Sequence, residues 1–163
     1  MQEYTLLSII TPVYNRVDFI EKAIRSVQNQ DYPSVEHLII DGGSDDGTHE
    51  ILTRYPHIKL TSEPDKGVFD AMNKGIQRAR GEILGFLNSD DVYEPYIFNE
   101  VMRVFKDNPE VMAINGGAKV VRETMTENTM DSRYFPPIST DDIYERTTLG
   151  SPIFNAWFFR KTV

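Results

Sequence analysis

The sequence contains no cysteine, which excludes disulfides and thiolate metal sites and fits a reducing compartment. No apolar stretch approaches the roughly 20 residues that cross a bilayer, and the start lacks the basic-then-apolar order of a signal peptide. The expected place is the cytoplasm, without a membrane span, with peripheral association at the inner face of the membrane left open. Basic residues are the minority, 17 Lys and Arg against 25 Asp and Glu, for a net charge of −8. That balance argues against nucleic acid as a partner. It does not exclude a diphosphate, because carboxylates that first collect a divalent cation invert the local charge. The three histidines, His37, His49 and His57, have no ligand spacing and read as structural. No Ser-His-Asp pattern, internal repeat, low-complexity tract or linker is evident, so 163 residues read as one domain.

What is present is an alternation of short apolar runs and amphipathic stretches. Leu6 to Ile10 reads as a strand closed by Thr11-Pro12, since proline removes a donor and biases its predecessor away from helix. From Val17, residues Phe19, Ile20, Ala23, Ile24 and Val27 share a helical face that ends near Gln30. Val35 to Ile40 is a second strand, and Thr48 is placed to cap a short helix through Arg54. Ile58 to Thr61 is a weaker third strand. Val68, Met72, Ile76 and Ala79 then predict a helix with Gly75 as a weak point and Gly81 as a stop signal. Ile83, Leu84, Phe86 and Leu87 crowd together as a strand covered on both faces. Pro95 opens a helix whose apolar face is Ile97, Phe98, Val101, Met102 and Phe105.

The remainder is less regular. Val111 to Val121 is strand-like but interrupted at Asn115-Gly116-Gly117, either a hairpin turn or a bulge. Arg122 to Pro137 reads as an irregular excursion, Ser139 or Thr140 as the cap of a short helix over Asp141 to Arg146, and Ile153 to Phe159 as a last apolar run. The repeated alternation predicts a mostly parallel sheet in a three-layer α/β/α arrangement, with ligands outside the carboxyl ends of the strands. Thr11 to Asn15, Asp41 to Gly47, Glu63 to Gly67 and Asn88 to Asp91 all fall at those ends.

Each cluster has a plain alternative. Asp90 and Asp91 could simply cap the helix that follows, yet hard cations take oxygen ligands, and Mg²⁺ typically uses one or two carboxylates plus substrate phosphates. The run Asp41-Gly42-Gly43-Ser44-Asp45-Asp46-Gly47 fails the calcium-loop spacing and lacks the phosphate-loop lysine and the dinucleotide fingerprint. Its glycines suit tight turns, whereas Asp41 at a strand end could accept a hydrogen bond from a base or ribose.

Together, TPVYN (Thr11 to Asn15), DGGSDDGT (Asp41 to Thr48), EPDKG (Glu63 to Gly67), DAMNKG (Asp70 to Gly75) and GFLNSDD (Gly85 to Asp91) resemble the inverting family-two glycosyltransferases of bacterial polysaccharide and lipopolysaccharide synthesis. The resemblance covers about the first hundred residues and fades beyond Phe105. It implies a GT-A fold, a nucleoside-diphosphate sugar donor, UDP by preference, a saccharide or lipid-linked acceptor, and Mg²⁺ or Mn²⁺. Carried over by position, Thr11, Pro12 and Tyr14 pack around the nucleobase and Asp41 hydrogen-bonds it. Asp65, Lys66 and Asn73 fall near the ribose and phosphates, Asn15, Gly43, Gly67, Asn88, Ser89 and Asp90 are further nucleotide-sugar-binding positions, and Asp90 and Asp91 hold the metal. Asn88 stands where the family's motif begins with an acidic residue.

The family's acceptor half and its catalytic base lie well beyond the metal motif, whereas this chain ends 72 residues after Asp91. The expectation is a truncated GT-A domain, with 1–110 as the nucleotide-sugar half and 111–163 as the start of the acceptor side. No spacing argument makes Asp131, Asp141 or Asp142 the base. A fragment that binds nucleotide sugar without turnover is the rival reading. A sugar-1-phosphate nucleotidyltransferase is a weaker one, since Thr11 to Arg16 is not a Gly-rich basic loop. In a fragment, Trp157, Phe158 and Phe159 would be exposed and would drive self-association through 153–159.

Overall fold

The computed structural model describes residues 4–123, 130–135 and 157–162. Four strands, β1 (Leu7–Val13), β2 (Val35–Asp41), β3 (Ile58–Ser62) and β4 (Ile83–Phe86), pair in parallel. Helices α1 (Ile20–Gln28), α2 (Thr48–Leu52) and α3 (Val68–Arg78) alternate with them, and α4 (Ile97–Asp107) follows β4. Beyond α4 come β5 (Ala113–Asn115), β6 (Ala118–Glu123), β7 (Met130–Phe135) and β8 (Trp157–Arg160). The main sheet has the order β3-β2-β1-β4-β8-β5, and β6 and β7 form a separate antiparallel pair.

Strand periodicity divides the core, because successive residues face opposite sides of a sheet. Ile9, Ile39 and Phe158 join the cluster that receives Ile20, Ala23, Ile24 and Val27 of α1, Leu52 of α2, and Phe98, Met102 and Phe105 of α4. Their neighbours Ile10, Leu38 and Ile40 join the cluster under Ala71 and Met72 of α3. Helices therefore cover both faces, as predicted. Gly75, the weak point of α3 by propensity, is where the helix touches the sheet: a Cβ there would lie 2.4 Å from Ile10 Cγ2. Its neighbour Ala79 is already extended (φ −64°, ψ 133°), so the helix stops before Gly81 rather than at it.

β1 continues through Thr11-Pro12 instead of closing there. Pairing of β1 with β4 ends at Ile10, whose carbonyl accepts from Leu87 N (3.0 Å). Pro12, two residues on, points its backbone the same way, towards a neighbour that has already left the ladder, so its missing N–H costs nothing. β1 and β4 separate at this point.

The carboxyl-terminal part departs furthest from expectation. Asn115-Gly116-Gly117 is neither hairpin turn nor bulge, because β5 pairs with β8 and β6 pairs with β7, so the chain changes sheets there. Part of the expected irregular excursion is strand, with Arg122 opposite Asp131. β8 inserts antiparallel between β4 and β5. Phe158 is consequently 2% exposed, not an exposed surface residue, and stacks against Tyr93 at 5.7 Å. Trp157 and Phe159 are half-buried and stack on each other. The helix expected over Asp141 to Arg146, its caps Ser139 and Thr140, and Asp142 lie outside the described residues.

Candidate functional site

In the main sheet the chain steps from β1 outward to β2 and β3, then returns to place β4 on the other side of β1. Adjacent loops diverge at such a reversal of strand order and leave a crevice at the carboxyl edge. A cleft of about 430 Å³ lies there. Pro12, Val13, Tyr14 and Arg16 after β1 form one wall, Asp65, Gly67, Val68 and Ala71 of the β3–α3 connection a second, and Asn88, Ser89 and Asp90 after β4 a third. Seven of the expected site residues, Pro12, Tyr14, Asp65, Gly67, Asn88, Ser89 and Asp90, thus meet around one space.

The others stand back from it. Thr11 is fully buried, its Oγ1 2.9 Å from His37 Nε2. Asp41 is also fully buried: Oδ1 accepts from Ser44 N (3.0 Å) and Ser44 Oγ (2.6 Å), and Oδ2 accepts from Ser62 Oγ (2.7 Å). Burial pushes its carboxyl up, but the hydrogen bonds from Ser44, Ser62 and His49 outweigh that and hold it below the ordinary value. Lys66 and Asn73 are exposed and do not line the cleft, and Gly43 is in the left-handed region (φ 89°) on the loop after β2.

That loop is stitched to the one after β1. Asn15 N donates to Ser44 Oγ (2.9 Å), Asn15 Nδ2 to Asp45 Oδ1 (3.0 Å), and Asp45 N back to Asn15 Oδ1 (3.0 Å). Arg16 N donates to Thr48 Oγ1 (2.8 Å) and Val17 N to Asp46 Oδ2 (3.1 Å). Thr48 is therefore not the cap of α2, a position held by Gly47 (φ 99°). Its hydroxyl donates to Asp46 Oδ1 (2.5 Å), and this bond above all holds the Asp46 carboxyl below its usual range. On the second wall, Asp65 Oδ1 accepts from Gly67 N (2.8 Å). Its other oxygen would lie 2.6 Å from a Cβ at residue 42, so only glycine permits that approach.

The acidic loop is held from behind. Tyr93, 8% exposed, donates its hydroxyl to Phe86 O (2.7 Å), and Tyr93 N donates to Ser26 Oγ (3.2 Å). Gln30 Oε1 accepts from Ile97 N (3.1 Å) and so caps α4 from the end of α1. At the front, Asn88 Nδ2 donates to Asp91 Oδ2 (3.4 Å) and Asp91 N to Asn88 O (3.2 Å), a turn that leaves Asp90 on the cleft. Among the described residues no group of three or more His, Asp or Glu is arranged to hold a metal. The donor set nevertheless suits Mg²⁺ or Mn²⁺, which are satisfied by one or two carboxylates, an amide oxygen and phosphate oxygens from a bound nucleotide.

Arg16 is the one cation on the cleft wall among the described residues, and the motif reading passed over it. Its only signal was adjacency to TPVYN. Its guanidinium donates to Asn15 O (3.0 Å).

Residues 8–163 match the profile described as Glycosyl transferase family 2. The chain belongs to that family. It is 31% identical over 134 residues to the putative glycosyltransferase EpsH of Bacillus subtilis, a match that covers 80% of this chain and 38% of that protein. Among solved structures, it is similar to the mannosyltransferase PcManGT of Pyrobaculum calidifontis in complex with GDP-Man and Mn²⁺, with a TM-score of 0.60 and 27% identity over 70% of this chain and 36% of that one. Residues 1–349 of S. aureus TarS with UDP-GlcNAc share the fold, with a TM-score of 0.59 and 24% identity over 64% of this chain and 32% of that one. The fold is thus that of the GT-A glycosyltransferases. The chain spans less than two fifths of the length of the curated relatives it matches first. No helix among the described residues is long and apolar enough to cross a membrane.

Proposed function

We propose that this chain carries the donor half of an inverting glycosyltransferase that uses a nucleoside-diphosphate sugar, UDP by preference, and a saccharide or lipid-linked acceptor of the cell envelope. In that reading 1–110 binds the donor, 111–163 begins the acceptor side, and the protein works in the cytoplasm at the inner face of the membrane. The observation that carries it is the convergence of Tyr14, Arg16, Asp65 and Asn88 to Asp90 on one cleft where strand order reverses. Pro12 and Tyr14 offer the apolar wall a base needs, and Tyr14 is 57% exposed, so its ring is accessible for stacking. Asp41 and Gly43 shape the loop behind that wall, and Asp65, Gly67, Lys66 and Asn73 surround the ribose and phosphates. Asp90 and Asp91, with the amide oxygen of Asn88, would hold Mg²⁺ or Mn²⁺. A cation bound there supplies neutralisation of the charge that develops on the leaving diphosphate. Arg16 adds a positive group that remains charged at any working pH. In-line attack by an acceptor hydroxyl on the anomeric carbon then inverts it, with an Asp or Glu taking the proton; that residue is not assigned.

Thermal denaturation with UDP and Mn²⁺ tests the reading. At a hundredfold excess over Kd the midpoint rises by roughly 5–10 °C. Asp90→Ala loses most of the rise while keeping the parent's own midpoint; no rise in the parent at millimolar nucleotide sinks the assignment. The short span relative to the relatives favours a second reading, a fragment that binds without turnover. Binding in the absence of sugar transfer or hydrolysis selects it.

A further inference from the structure

Asn15 is one of two residues other than glycine in the left-handed region among the described residues (φ 51°). Such a conformation persists only where the surroundings over-determine it, and it concentrates at functional sites. The surroundings here are unusually complete. The backbone N–H groups of Asn15, Arg16 and Val17 donate in turn to Ser44 Oγ, Thr48 Oγ1 and Asp46 Oδ2, while the Asn15 amide and Asp45 exchange a reciprocal pair of hydrogen bonds. Ser44 in turn donates to Asp41, which is anchored at the end of β2. The residues on either side of Asn15, Tyr14 and Arg16, both reach the cleft, although Asn15 does not.

We propose that Asn15, Ser44 and Asp45 are positioning residues: they lock the chain reversal that aims Tyr14 and Arg16 into the cleft from opposite sides of one residue. Without the lock, an alanine at 15 relaxes out of the left-handed region, and the two flanking side chains no longer face the same space. The acidic loop after β2 therefore acts on the ligand at second hand, by fixing the first wall. This deepens the nucleotide reading above and rests on it.

The experiment is titration calorimetry of UDP with Mn²⁺ on the full chain, together with hydrogen exchange at the amides of Asn15, Arg16 and Val17. Asn15→Ala and Asp45→Ala bind about tenfold more weakly or worse, with exchange at the three amides accelerated and the thermal midpoint of the unliganded protein little changed. Asp45→Asn, which keeps an acceptor for the Asn15 amide, restores affinity. Asn15→Gly, which takes a positive φ without cost, falls between parent and Asn15→Ala. A structural role alone would lower the midpoint of the unliganded protein in step with affinity. If the parent binds and Asn15→Ala binds equally well, the positioning role is wrong and the nucleotide reading stands. If the parent does not bind, the nucleotide reading falls, and the positioning of a nucleotide wall falls with it.

Discussion

Strand β2 carries a buried carboxylate near each end, Glu36 at the amino edge of the sheet and Asp41 at the carboxyl edge. Glu36 is met by cations: Lys59 Nζ and Arg80 Nε both donate to Oε2, while Ser8 Oγ (2.5 Å) and Arg80 N (2.6 Å) donate to Oε1. Asp41 is met by the hydroxyls of Ser44 and Ser62, with His49 Nδ1 3.5 Å away. A carboxylate ringed by fixed positive charge is committed to holding β1, β2, β3 and the Arg80 turn together. One ringed by hydroxyls keeps its negative charge in a network that can rearrange. The two edges thus divide the work, with the amino edge closed by charge and the carboxyl edge left adjustable around the cleft.

The largest effect should come from neutralising the amino edge. In Glu36→Gln the new amide can be answered only by the Ser8 hydroxyl, because neither Lys59 nor Arg80 can turn into an acceptor. Lys59 and Arg80 are themselves substantially exposed, which screens the charges, so the loss is about 2 kcal/mol, the scale of hydrogen bonds to a charged group, or roughly 6 °C in thermal midpoint for a chain of this size. Nucleotide affinity should be unchanged, because the cleft lies at the opposite edge. A midpoint within 2–3 °C of the parent would mean that Glu36 is not the staple its contacts describe.

Acid sharpens the same contrast. Burial, with a small contribution from His57, pushes His37 down to about 3, and the Lys59, Ser8 and Arg80 hydrogen bonds bring Glu36 to about 2 despite its burial. Both folded-state values lie below the ordinary ones, so the unfolded chain binds more protons and stability falls as pH falls. His37 begins to lose its contribution below its ordinary value of 6.5, Glu36 only below 4.5. Between pH 7 and pH 5 the loss is therefore mainly from His37 and amounts to about 2 kcal/mol, read as a lower midpoint in urea. His37→Gln should flatten that interval and leave the steeper loss below pH 4.5 in place. An unchanged slope between pH 7 and 5 in that variant would assign the titration elsewhere.

Local periodicity made the framework of this protein legible. The alternation of apolar runs and amphipathic stretches foretold β1 to β4 and the helices between them, and the polar clusters at strand ends foretold which edge carries the cleft. What the pattern could not carry was pairing over distance. β8 enters the sheet beside β4, 73 to 77 positions away in sequence from its partners at Ile83 to Gly85, and nothing local to Trp157 to Phe159 names that slot. Gln30 caps α4 across a separation of 67 residues for the same reason. Within the site, motif position marked Thr11 and Asp41 as ligand-facing, yet their side chains are taken up by His37 and by Ser44 and Ser62. A motif identifies which residues matter to a loop without saying whether each faces the ligand or holds a residue that does, and Arg16, which does face the cleft, was passed over.

The smallest effect should follow the matching change at the other edge. In Asp41→Asn the side chain keeps one oxygen, which still accepts from Ser44 N and Ser44 Oγ. The new amide N–H₂ faces Ser62 and His49, and both can answer it: the Ser62 hydroxyl rotates to accept, and imidazole Nδ1 accepts in one of its tautomers. Because both partners of the new amide can reverse their roles, the loss should be about 1 kcal/mol or less, the net worth of a typical hydrogen bond, against about 2 kcal/mol for Glu36→Gln. Urea unfolding of the two variants side by side measures the difference directly. Equal losses would mean that the cations around Glu36 and the hydroxyls around Asp41 are interchangeable as partners, and the division of labour between the two edges would not hold. If the predicted inequality appears together with weakened UDP binding in Asp41→Asn alone, the charge that Asp41 keeps is used at the cleft rather than in the fold.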